Sequence, residues 1–200
     1  MSNNATVSRP KLTLPKAEAS LLREAYAKAD VILEYGSGGS TVMASEMPGK
    51  TVFSVESDRN WAQMMRDWLS ANPPAEGTRV EMLWSNIGET KKWGYPVDDS
   101  QWRRFALYPL EVWQLPQFRQ PDVVLVDGRF RHGCALATAF LTQKPVDLFV
   151  DDYSVRPRYR KMEEYLGTPT MTGRIAQFRV NPTPIMPAKL MQVIKFMQNP

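Results

Sequence analysis

The sequence predicts an α/β fold, a doubly wound and mostly parallel sheet of seven strands with helices on both faces. Three observations carry that expectation. Short apolar runs rich in β-branched residues recur along the chain, helical periods separate them, and a glycine-rich turn follows the first run. Strands buried on both faces read as continuous apolar runs, and alternation of strand and helix requires crossover connections. At 200 residues the chain is within reach of one domain, and a core of that size needs no metal or disulfide staple.

Taken in order, residues 1–14 are polar and read as a flexible N-terminal segment, leaving 15–200 as a single domain. Pro15 opens the first helix, where a missing N–H costs nothing, and Ala19, Leu22, Ala25, Tyr26 and Ala29 keep its period. Five strands are expected at 31–35, 51–56, 79–84, 121–127 and 146–151. Helices are expected between them at Ser40–Met47, Asp58–Ala71 and Gly133–Gln143. A further helix around Arg158–Leu166 leads to two last strand candidates, 174–180 and 191–197. The short Pro-containing link between these two suits a hairpin-like return, so one of them should run antiparallel. Residues 87–119 break the rhythm with Trp93, Tyr95, Pro96, Trp102, Tyr108, Pro109 and Trp113 at no regular period. An insertion of that length is expected to be a lid or a core-covering loop.

Composition excludes several classes. Hydrophobic residues make up 43% and charged residues 23%, which rules out a wholly disordered chain. The longest apolar run, Cys134 to Leu141, is far short of a membrane span. MSNNATVSRP lacks the apolar core of a secretory signal, and a single cysteine makes no internal disulfide. A cytoplasmic protein with no membrane partner is the expectation. Twenty-five basic against 21 acidic residues give +4, an ordinary solubility charge, so a nucleic-acid partner is open but not favoured.

VILEYGSGGST is the most specific stretch. Gly36 and Gly38 let the backbone turn tightly after the first strand and approach a ligand, and the helix opening near Ser40 offers free N–H groups. Twenty residues after Gly36, Glu56 ends the second strand, where a carboxylate can accept both hydroxyl protons of a ribose. A dinucleotide site would want a third glycine where Thr41 stands, and its fingerprint does not include Glu34. An NAD-type oxidoreductase is therefore the weaker alternative, beside a non-catalytic cofactor- or nucleic-acid-binding module. The E-x-G-x-G pattern instead resembles the first motif of class I S-adenosylmethionine-dependent methyltransferases, whose fold is Rossmann-like. That resemblance, over roughly residues 15–197, implies S-adenosylmethionine as cofactor. It places Glu34, Gly36, Ser37, Gly38 and Ser40 near the amino-acid part. It gives Glu56 the ribose, puts Ser57 and Asp127 among the cofactor-binding residues, and gives Asn86 the neighbourhood of the adenine.

In open parallel sheets ligands sit at the carboxyl ends of the strands. Strand four ends at Asp127 and strand five at Asp151 and Asp152. Three converging acids repel unless something cationic lies between them, and oxygen-only ligands suit Mg²⁺ or Ca²⁺. The pattern is similar to the metal-dependent O-methyltransferase subgroup, although Phe130 stands where that subgroup has a lysine base. Arginines crowd the same edge, namely Arg129, Arg131, Arg156, Arg158 and Arg160, with Arg103 and Arg104 in the insertion. They either neutralise the aspartates or recognise an acidic small-molecule substrate or a nucleic-acid backbone, and Asp127 with Arg129 is the candidate catalytic pair. DGRF after strand four differs from the D/N/S-P-P-Y/F motif of DNA amino-methyltransferases. His132 reads as exposed or capping, and Cys134 as an inert core thiol.

Overall fold

A computed structural model describes residues 8–200. Its main sheet has seven strands in the order β3-β2-β1-β6-β7-β9-β8. These are β1 Val31–Tyr35, β2 Thr51–Glu56, β3 Arg79–Trp84, β6 Val123–Val126, β7 Val146–Val150, β8 Thr170–Thr172 and β9 Ile175–Val180. The first five are mutually parallel, with Val31 level with Thr51 and Ile32 level with Val123. β9 runs antiparallel between β7 and β8, Val146 facing Val180 and Thr172 facing Ile175. The helices are α1 Lys16–Lys28, α2 Gly39–Ser45, α3 Arg59–Ala71, the short α4 Trp102–Phe105 and α5 Leu107–Leu110, α6 Arg131–Leu141, α7 Glu163–Leu166 and α8 Leu190–Met197.

Side-chain alternation along β1 explains the double winding. Leu33 and Tyr35 join one buried cluster with Val55, Val124 and Val126, while Ile32 joins another with Val52, Val123 and Leu125. α1 and α2 close the second face through Leu22, Tyr26 and Met43. α6 closes the first face through Cys134 and Ala135, so Cys134 is the buried core thiol expected of it.

The first face has a second cover. The insertion is divided: Phe105, Tyr108 and Val112 are buried in the main core, whereas Trp93 and Trp102 are exposed. Its second half is therefore the crossover layer between β3 and β6, fixed by burial. The first half carries two short antiparallel strands, β4 Thr90–Lys91 and β5 Tyr95–Pro96, over the carboxyl edge.

Two expectations are corrected. Residues 191–197 form helix α8, because Val193, Phe196 and Met197 fall on one helical face and pack against Leu136 and Ala137 of α6. The seventh strand is instead Thr170–Thr172, a short polar edge that carries no apolar signal. In the segment expected to be flexible, Pro10 and Leu14 are buried, and Arg9 forks onto Glu46 at 2.5 and 2.8 Å. The earlier part of it, residues 1–7, lies outside the described residues.

This strap explains a glycine. A Cβ at Gly39 would run into the backbone of Lys11 and Leu12. Gly39→Ala should cost about 1–3 kcal/mol in urea unfolding, the scale of overpacking. Deleting residues 1–13 should erase that difference; if the penalty persists without the strap, this account of Gly39 is wrong.

Candidate active site at the carboxyl edge

The turn after β1 and the turn after β6 touch. Gly36 has φ +100°, and a Cβ there would meet the Gly128 nitrogen at 2.7 Å. Both exits hang on strand carbonyls: Gly36 N–H donates to Val55 at 2.8 Å, and Gly128 N–H donates to Tyr35 at 2.6 Å. Gly38 is different, since a Cβ there meets nothing within 4 Å. Open space therefore lies over the turn at Gly38, while Gly36 is a glycine for the sake of its neighbour strand.

Glu34 lies beneath this turn and is fully buried. Its carboxylate accepts from Tyr26 at 2.7 Å and Thr41 at 2.5 Å, with the Ser54 hydroxyl at 3.5 Å. Burial pushes its carboxyl above the usual range, against these hydrogen bonds. Thr41 in turn accepts from the Gly38 N–H at 3.0 Å. With no surface of its own, Glu34 braces the glycine turn from below. Ser40 is also buried.

Glu56 ties two strand exits together. It accepts from the N–H groups of Ser37 at 3.2 Å, Ser57 at 2.7 Å and Asp58 at 2.9 Å. Burial raises its carboxyl despite these donors. The Ser37 carbonyl receives the Trp61 indole N–H at 2.8 Å, and the Ser57 carbonyl that of Trp84 at 3.1 Å. Ser57 also donates to the carbonyl of Gly94 in the insertion at 2.9 Å. Asn86 closes its own turn, accepting from Gly88 N–H at 3.1 Å.

The three acids of the later strands do converge, but guanidinium groups lie among them. Asp151 holds Arg174 through both oxygens at 2.8 and 2.9 Å. Asp152 faces Arg156 at 3.3 Å, Arg131 at 3.4 Å and Arg174 at 3.7 Å. Arg131, buried, reaches Asp127 Oδ1 at 3.1 Å and donates to the carbonyls of Asp127, Gly128 and Asp151. Among the described residues no group of three or more His, Cys, Asp or Glu is arranged to hold a metal ion. The expected Mg²⁺ or Ca²⁺ set of Asp127, Asp151 and Asp152 thus does not fit an ion, because arginines supply the positive charge in its place. Burial drives the Asp127 carboxyl up to about 7; Arg131 opposes the rise, and the carboxylates of Asp151 and Asp152 add to it.

Backbone strain collects here as well. Trp93, Phe130 and Asp152 are the non-glycine residues with positive φ among those described, at 67°, 51° and 58°. All three flank this edge, where such conformations persist only if their surroundings enforce them.

Sequence reasoning missed Arg174, Tyr95 and Gly94. Arg129 lies over the Tyr95 ring, 4.1 Å from its centroid, and Gly94 rests on Ser57 and Glu56. These contacts join segments 30 to 40 residues apart, so no local spacing announces them. Arg131 did have a local signal, standing four residues after Asp127 on the entry to α6. His132 is buried rather than exposed: it stacks on Phe196 at 4.6 Å, and its Nε2 lies 3.0 Å from the Arg158 carbonyl. A recess of about 260 Å³ lies at the opposite edge of the sheet beside Asp122, Asp147 and Arg179, away from all of this chemistry.

No protein-family model and no curated protein matches this sequence. Among solved structures, the chain is similar to a methyltransferase-like protein from Silicibacter pomeroyi. The two are 61% identical over 96% of this chain and 99% of that one, with a TM-score of 0.94. The O-methyltransferase TomG from Streptomyces achromogenes, solved with S-adenosylmethionine, shares the fold at 16% identity. That likeness covers 85% of this chain and 82% of the other, with a TM-score of 0.56. An O-methyltransferase from Bacillus cereus, solved with S-adenosylhomocysteine, does so at 15% identity, covering 83% and 82%, with a TM-score of 0.53. Among the described residues no helix is long and apolar enough to cross a membrane.

Proposed function

This chain belongs to the class I methyltransferase-like family, that of the S-adenosylmethionine-dependent methyltransferases, and from that premise we propose that it transfers a methyl group from S-adenosylmethionine to a small-molecule acceptor. The observation that carries this reading is the open glycine turn at Gly38, set beside Glu56 and level with Asp127 on the same sheet edge. The cofactor would be held by the turn at Gly36–Gly38 and by Glu56, whose Oε atoms retain lone pairs for ribose hydroxyls beyond the three N–H donors. When bound it supplies an electrophilic methyl on sulfonium.

The chain's own residues do the rest. Glu34 and Thr41 keep the turn in shape from below. Trp61 and Trp84 brace the loops that present Ser37 and Ser57. Asp127, raised toward neutrality, is suited to take a proton from the acceptor oxygen or nitrogen as it attacks. The edge of the insertion at Gly94 and Tyr95 covers the site and excludes water. Alignment of the acceptor with the methyl group is the main contribution expected of the protein.

Glu56→Ala should weaken S-adenosylhomocysteine binding about 10- to 150-fold, since hydrogen bonds to a charged group are worth about 1.5–3 kcal/mol. Calorimetric titration checks this, with urea unfolding to confirm an intact fold. Unchanged affinity in a folded variant would remove Glu56 from the cofactor site.

A further inference from the structure

We propose that Arg129 and Arg156, with Tyr95 packed across them, seat an anionic group of the methyl acceptor, a carboxylate or a phosphate. The inference rests on the reading of this edge as a methyl-transfer site and names the class of molecule that enters it. Its first support is a charge imbalance. Five arginines, Arg129, Arg131, Arg156, Arg158 and Arg174, gather around three aspartates, so two positive charges remain after pairing. Arg131 and Arg174 are consumed by Asp127, Asp151 and Asp152. Among the described residues Arg129 and Arg158 have no carboxylate within ion-pair distance, and Arg156 reaches only Asp152.

The second support is hydrogen bonding left unmade. The Nε atoms of Arg129 and Arg156 are both buried and have no partner. Buried donors without acceptors are costly, and two of them on neighbouring guanidinium groups point to an acceptor that arrives from outside. A guanidinium fork matches the paired oxygens of a carboxylate or phosphate.

Tyr95 makes the seat specific to this edge. Its ring is the floor under Arg129, and it sits beside Gly94, which is anchored to Ser57. Burial alone would raise its phenol, yet Arg129, Arg156 and Arg158 together hold it below the ordinary value, so their field is not neutralised. Arg129 follows Asp127 by two residues. An acceptor anchored by its anion on Arg129 therefore presents its remaining atoms near the Asp127 carboxyl.

The test is calorimetric titration of the S-adenosylhomocysteine-saturated protein at low ionic strength. Inorganic phosphate and benzoate are the two probes, and a neutral analogue, benzyl alcohol, is the control. At least one anion should bind saturably, the control should not, and the anion that binds better tells phosphate from carboxylate. Arg129→Gln should weaken anion binding about tenfold or more while leaving S-adenosylhomocysteine affinity within about twofold. Arg156→Gln should act in the same direction. In parallel, anion occupancy should shift the 295 nm phenolate titration of Tyr95 to higher pH, a signal absent in Tyr95→Phe. If the protein binds S-adenosylhomocysteine but neither anion, or if both glutamine variants bind anions as wild type does, the anion seat is overturned and the methyl-transfer reading stands. Failure of the wild-type protein to bind S-adenosylhomocysteine overturns the methyl-transfer reading, and this inference with it.

Discussion

Arg131→Met is expected to destabilise the fold by about 3–5 kcal/mol, the scale seen when one partner of a buried ionic network is removed. The side chain of Arg131 is only 3% exposed. Its guanidinium joins the exits of β6 and β7, holding carboxylates of Asp127 and Asp152 and three backbone carbonyls. Methionine fills similar volume but leaves Asp127 without a cation and three backbone carbonyls without their donor, while Asp152 keeps Arg156 and Arg174. A lysine supplies charge without the planar fork, so Arg131→Lys should recover less than half of the loss. Adding Asp127→Asn to Arg131→Met should return part of the stability, because it removes the stranded charge. Urea unfolding of wild type, Arg131→Met, Asp127→Asn and the double variant measures the cycle, with Arg131→Lys beside it. A loss under about 1 kcal/mol for Arg131→Met would show that the network does not hold the two exits together.

The same residue explains what the sequence could and could not disclose. β1, β2, β6 and β7 were legible because they are buried on both faces along most of their length and so read as apolar runs, interrupted inside only by Glu34, Ser54 and Asp147. Gly36, Glu56, Asp127, Asp151 and Asp152 were legible because each stands where a strand ends. β8 was not, since Thr170, Met171 and Thr172 pair at an edge that needs no apolar face. α8 was misread because Met191, Val193, Ile194, Phe196 and Met197 satisfy both periods over so short a span. Only packing of Val193, Phe196 and Met197 on α6 decides for the helix. The metal-like trio was legible as acids on an edge crowded with arginines, but neither the choice between metal and arginine nor the identity of each partner was. Arg174 reaches Asp151 only because β9 returns antiparallel beside β7, a placement that local spacing does not encode.

Glu34 makes the complementary point. The residue pattern identified it correctly as part of the glycine turn, but a carboxylate reads the same in sequence whether it meets a ligand or a buried tyrosine. Tyr26, eight residues earlier on α1, and Thr41, seven residues later on α2, absorb it. The turn is therefore specified by a polar network on the α1–α2 side of the sheet as much as by its glycines, and a cofactor above would meet mostly backbone.

Asp127→Asn is expected to slow methyl transfer by about 10²- to 10⁴-fold, the usual worth of a positioned general base. Asparagine can keep a hydrogen bond to Arg131 yet cannot take a proton, so binding of S-adenosylhomocysteine should survive. The pH dependence follows from the carboxyl's position near 7. Below that value Asp127 is protonated and unable to act, so kcat/KM should rise with pH through about 7 and level off above it. A sulfonium cation close by favours the carboxylate, which should move the corresponding limb of kcat to lower pH. Stability gives a readout that needs no acceptor. An unfolded aspartate releases its proton near 3.9, whereas folded Asp127 keeps it until about 7. Between those values the folded state holds more protons than the unfolded one, so this residue's contribution to stability falls as pH rises through the window. With one-third of the side chain exposed, water screens the effect to about 1–2 kcal/mol between pH 4 and pH 8. Asp127→Asn should lack that decline when unfolding midpoints are compared across the range. If the variant turns over at the wild-type rate, or if the two proteins lose stability in parallel from pH 4 to pH 8, Asp127 is neither the base nor the group that titrates near neutrality.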